Sequence, residues 1–430
     1  MTKQETDAGA GEITATRMAW FAWFLGALFY CYGYFQRVAP SVMVTDLMSE
    51  FQVSGAILGN LTAFYFYAYA SLQIPFGVLI DRYGPRRMLA AAALLCASGS
   101  LLFAIAPSVG LAYAGRFLVG AGAGVAWLGT LQICGQMLPA RRFAQITGFT
   151  LLIGMAGGIG GQAPLAQMID IAGWRPTMAS AAIGAVILAV LIWFFVPRTT
   201  RSYGEAPPGE KTGIIRGLKA VLANMQSWTC AIFGGTLGVS VLAFGGLWCV
   251  PYMMETYGLT RPAAALTATL MLVGWAIGAP SAGWISDRIG RRKLPMLVGG
   301  FGGLATLSCA LYVPGLPLIA VQALLLIHGI FSGAMVLCFA TGRENNGKHV
   351  AATSVSFVNM AVMGTSALFQ PLIGALLDLG WDGRMVDGAR IYSAENFKTA
   401  LLVLIAAGVA ACIAAALTRE TYCQQVKRSS

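Results

Sequence analysis

Twelve stretches of this chain run for roughly 20 residues with almost no charge, and polar connections separate them. That is the length an α-helix needs to cross the hydrocarbon core of a bilayer. Inside that core every backbone N–H and C=O must find its partner within the chain, so such stretches have to be helices. They fall at 18–44, 55–76, 88–107, 110–135, 146–170, 177–196, 228–255, 262–282, 294–313, 317–340, 350–378 and 397–417. Only 10% of the residues are charged, against about 25% in a soluble domain. A water-facing surface cannot be assembled from so few charges. Soluble enzymes, disordered chains and disulfide-stapled secreted modules are therefore excluded.

The net charge of +11 is a matter of topology. With the N-terminus inside, 21 of the 28 Lys and Arg fall in cytoplasmic segments, five in outer segments and two, Arg37 and Arg116, within spans. Basic residues stay on the cytoplasmic side, so both termini are expected inside and no nucleic-acid partner is expected. The expected organisation is a cytoplasmic tail (1–17), a six-span half (18–196), a cytoplasmic linker (197–227), a second six-span half (228–417) and a tail (418–430). The first residues are polar and acidic, unlike a cleavable signal peptide. The nine cysteines form no CxxC pair and mostly lie in apolar runs, where they read as small hydrophobes.

Residues 77–87 read GVLIDRYGPRR and residues 283–293 read GWISDRIGRRK. Both fit G-x-x-x-D-R-x-G-x-R-R/K, and each begins at the cytoplasmic end of the second span of its half. Two related six-span halves are the build of a carrier with a pseudo-two-fold axis. Gly84 and Gly290 suit a tight turn. Asp81, Arg82 and Arg86, with Asp287 and Arg288, make a candidate charged latch that biases one half against the other. The doubled motif, the twelve spans and the linker resemble the major facilitator superfamily. So does Gly115-Arg116-Phe117 ahead of a glycine run in span four. The resemblance implies an all-α fold of two pseudo-symmetric six-helix bundles, and a coupling or packing role for Arg116. Span five has Gly157-Gly158 where the superfamily's antiporters carry Gly-Pro.

Ionisable groups inside a span are functional candidates because exposure to lipid is costly. Arg37 leads them. Tyr30, Tyr34 and Ser41 share its helical face at i−7, i−3 and i+4, and a guanidinium among tyrosines suits a carboxylate or phosphate. Thr62, Tyr65, Tyr69 and Gln73 form one polar stripe on span two, expected to line a cavity. Trp127, Trp248, Asn359 and Gln370 are further lining candidates. An unperturbed histidine titrates near neutrality, which makes His328 a candidate proton carrier. Asp46 sits near the outer end of span one and no acid lies at a span midpoint, so the coupling mechanism stays open.

No Walker loop and no metal-ligand spacing is present, so no cofactor or metal is expected. The expected function is secondary transport of a small polar solute by rocker-switch alternating access. That solute is an organic anion or zwitterion: a carboxylate, amino acid or short peptide. A co-transported proton or ion (symport) is a further expected partner beside the lipid bilayer. A monomer in a bacterial inner membrane is expected. Export of an amphipathic compound and a non-transporting receptor on the same fold are the alternatives.

Overall fold

The computed structural model describes residues 3–138, 142–198, 214–347 and 350–425. Parts of the tails and of the expected linker thus lie outside the described residues. Among the described residues eleven helices are long and apolar enough to cross a membrane. The helix Gly55–Tyr83, 29 residues long, completes twelve. Among the described residues the β-structure is one short hairpin, Met385–Val386 against Ala389–Arg390.

The second helix runs further than its apolar stretch and ends at Gly84, where φ is 77°. Gly290, at φ 66°, ends the equivalent helix Arg261–Ile289. A side chain at either position would strain the turn. Four spans expected as single helices are interrupted. Span one passes into a 3₁₀ turn, Ala39–Val42, with Pro40 in its first turn. Span five breaks at Gly161–Gln162, just ahead of Pro164. Proline lacks an N–H to continue the ladder. Span seven winds as a π-helix over Ser240–Trp248, and span ten carries a 3₁₀ turn, Gly333–Val336.

The packing obeys the internal repeat. Spans three and four, two and four, three and six, one and five, and one and six pack together in the first half. Their equivalents pair in the same way in the second half. The halves meet where span two lies on span eleven and span five on span eight. Glycine allows the closest crossings. A Cβ on Gly120 would collide with the Tyr65 carbonyl, and one on Gly278 with the Ile330 carbonyl.

The C-terminal segment reaches the second motif copy, where the Arg292 N–H donates to Glu420 Oε1 at 2.8 Å. At the opposite face the halves are joined. Arg261 of span eight bridges Asp46 at 2.8 Å and Asp170 at 3.4 Å. The Asp378 carboxylate accepts the Gly55 and Ala56 N–H groups at 3.0 and 2.8 Å. It thereby caps a helix of the other half, where the dipole favours an anion.

The second motif copy is anchored by Arg292. Its guanidinium reaches Asp287 at 2.6 Å and Glu344 at 2.8 Å. Burial opposes the guanidinium's charge, yet the Glu344 and Asp287 carboxylates raise its pKa above the ordinary value. The Asp287 side chain is 69% exposed while that of Glu344 is 14%, so the Glu344 bond is the one that matters. Arg292→Ala is expected to lower the unfolding temperature in detergent by several degrees, and Asp287→Ala to leave it nearly unchanged. Equal losses from both variants would contradict this ranking.

Candidate functional site

Span one places Arg37 inside the first bundle, 4% exposed. Three rings surround its guanidinium. Tyr34 lies at 4.3 Å, Tyr69 at 5.4 Å and Tyr65 at 5.7 Å, measured to ring centroids. Tyr34 sits one turn before Arg37, and Tyr65 and Tyr69 sit one turn apart on span two, so helical periodicity assembles the box from two helices. The Tyr65 hydroxyl donates to the Gly33 carbonyl at 3.0 Å, which fixes that ring. Tyr30 extends the box, edge-on to Tyr34 at 5.1 Å and tilted against Trp127 at 5.0 Å. Gly154 leaves the room Tyr30 occupies.

The Arg37 Nε–H has no acceptor. Behind the box lies a second buried cation. The Arg116 guanidinium lies 5.2 Å from the Tyr65 ring centroid and donates to the Gln36 carbonyl at 2.8 Å. Its Nε and one terminal nitrogen have no partner. Among the described residues no Asp or Glu is buried. Each cation–π contact returns about 0.5–2 kcal/mol, against several kcal/mol to desolvate each ion. The site therefore holds positive charge that its own side chains do not neutralise.

Toward the motif face the box is bounded by amides. Asn359 Nδ2 of span eleven donates to Gln73 Oε1 at 2.9 Å, across the two bundles, and Gln73 Nε2 has no acceptor. Toward the opposite face it is bounded by a polar layer. There Thr62 donates to Gln370 Oε1 at 2.7 Å and the fully buried Trp248 indole donates to the Gln370 carbonyl at 3.1 Å.

The remaining candidates lie elsewhere. His328 is buried within the second bundle, with Nδ1 on the Gly303 carbonyl at 2.9 Å and Nε2 facing Ser240 Oγ at 2.8 Å and Ser332 Oγ at 3.2 Å. Asp46 is engaged with Arg261 at the opposite face, not with Arg37. Arg82 stacks on Tyr83, Arg86 on Trp193 and Arg288 on Trp284, each at the motif face. Asp81 lies in the last turn of its helix, and its side chain is outside the described residues. The orphaned Arg116 donors and the Asp378 cap carried no signal in spacing, because their partners come from other helices.

Fold and site together define a polytopic membrane protein with a cationic aromatic site beside the contact between two helical bundles. The family model described as the Major Facilitator Superfamily matches residues 23–371, and the chain belongs to that superfamily. It is 24% identical to a gentisate transporter of Corynebacterium glutamicum, over 86% of this chain and 83% of that one. It is 25% identical to a gallate transporter of Pseudomonas putida, over 80% and 81% of the two chains. Its fold matches the crystal structure of a bacterial homologue of the human lysosomal transporter Spinster. There the TM-score is 0.75 at 18% identity, covering 94% of this chain and 96% of the other.

Proposed function

We propose that this protein carries a small aromatic carboxylate across the membrane by alternating access, with Arg37 holding the carboxylate. The observation that carries this reading is a buried guanidinium with an unpaired N–H, ringed by Tyr34, Tyr65 and Tyr69, with no buried acid among the described residues. An anionic cargo supplies the missing charge, and guanidinium and carboxylate match in geometry. Tyr30 and Trp127 offer faces against which an aromatic ring stacks. The cargoes named for the two relatives, gentisate and gallate, are carboxylates on an aromatic ring.

We read the motif face as cytoplasmic, because the basic residues concentrate there. On this reading both termini are cytoplasmic and the membrane is a bacterial inner membrane. The arrangement with the opposite face sealed by Asp378 and Arg261 is then the inward-facing half of the cycle.

Thermal unfolding of the purified protein tests the charge requirement. At one hundred times its Kd a ligand stabilises the fold by about 2.7 kcal/mol. 4-Hydroxybenzoate is expected to raise the unfolding temperature, and 4-hydroxybenzyl alcohol, which keeps the ring and loses the charge, is expected not to. Equal stabilisation by both would remove the carboxylate from the reading.

A further inference from the structure

Two helix interruptions near the sealed face are equivalent by the internal repeat: the turn Ala39–Val42 in span one and the π-helix Ser240–Trp248 in span seven. Spans five and eleven, also equivalent, each bring a fully buried glutamine to them: Gln162 and Gln370, each shortly before a proline. The two side chains bond with the roles of oxygen and nitrogen exchanged. Within the first bundle Gln162 Oε1 accepts from Ser41 at 3.1 Å, and across the bundles its Nε2 donates to the Gly245 carbonyl at 3.2 Å. Within the second bundle Gln370 Nε2 donates to the Leu242 carbonyl at 3.2 Å, and across the bundles its Oε1 accepts from Thr62 at 2.7 Å. Each glutamine thus makes one bond at home and one across, and both grip carbonyls of the π-helix.

A π-helix is the rarer winding, seen mostly as a single turn and often at functional sites. Nine residues of it persist here in a wholly buried segment whose carbonyls take donors from outside. We propose that Gln162 and Gln370 are positioning residues of the transport cycle. They form a pseudo-symmetric amide clasp that closes while the face opposite the motifs is sealed and holds span seven in its π winding. When that face opens, the two cross-bundle bonds break and the segment rewinds toward an α-helix. The clasp rests on the alternating-access reading but not on the identity of the cargo. It biases the two states by the bonds it makes in only one of them.

Hydrogen–deuterium exchange on the full-length, ligand-free protein in nanodiscs tests it. In the Gln162→Met and Gln370→Met double variant, peptides at the sealed face (39–60, 240–248 and 370–395) are expected to exchange roughly tenfold faster, the scale of one or two hydrogen bonds. Peptides at the motif face (76–90 and 280–293) are expected to slow, because closing one face opens the other. Acceleration confined to the substituted helices, or no change, overturns the clasp. Should every peptide accelerate, Thr62→Val decides, since it removes the cross-bundle bond of Gln370 and leaves both glutamines in place. The same mirrored pattern supports the clasp and its absence overturns it. If 4-hydroxybenzoate produces the mirrored pattern in the wild-type protein while neither variant does, the clasp falls and the carrier reading stands.

Discussion

Arg37→Ala is expected to abolish uptake of an aromatic carboxylate into proteoliposomes, with binding weakened roughly 100-fold or more. Removing one partner of a desolvated charged pair costs about 2–5 kcal/mol, and no second cation replaces it. Arg116 is tied to the Gln36 carbonyl and faces the Tyr65 ring at 5.2 Å. The variant should still fold. Deleting a buried cation that no buried acid neutralises removes a desolvation cost, so its unfolding temperature should hold or rise. Arg37→Lys should recover a minor part of transport, because lysine keeps the charge and loses the planar fork and the stacking on Tyr34. Undiminished uptake by Arg37→Ala, with the protein shown to be folded, would take Arg37 out of the site.

Gly120→Val is expected to destroy the fold. Spans two and four cross so closely at this position that even a Cβ would overlap the Tyr65 backbone. That backbone cannot yield without displacing the ring held between Arg37 and Arg116. Overpacking typically costs 1–3 kcal/mol when side chains can move. Here the obstacle is main chain, so the loss should exceed about 4 kcal/mol. Fluorescence-detected size exclusion should show no monodisperse peak for Gly120→Val. Gly110→Val is the control, since a Cβ there meets nothing within 4 Å. A normal peak for Gly120→Val would mean that the helices separate at this crossing at little cost.

Arg37 and its tyrosines were legible before any coordinates because Tyr34 lies one turn from Arg37 and Tyr65 one turn from Tyr69, and such spacing puts side chains on one helix face. The motif turns were legible for a similar reason, as Gly84 and Gly290 each end a helix at positive φ. Illegible were the polar partners that come from distant segments. Asp378 lies at the end of its span, and it caps Gly55 and Ala56 more than 300 residues away. Gln370 read only as a lining candidate, and together with Gln162 it holds the π-helix of span seven. Even the π winding had no local signature, since SVLAFGGLW reads as ordinary apolar helix.

The amino-acid sequence by itself determined the twelve crossings, the duplication, the basic face and the embedded arginines. These follow from local hydropathy, from charge and from a motif repeated along the chain, none of which needs a partner. The tertiary structure alone decided which guanidinium keeps an unpaired N–H among tyrosines, which carboxylates join the halves and where a helix departs from α winding. Those outcomes depend on how close two packed helices come, and only packing brings residues hundreds of positions apart within hydrogen-bonding distance.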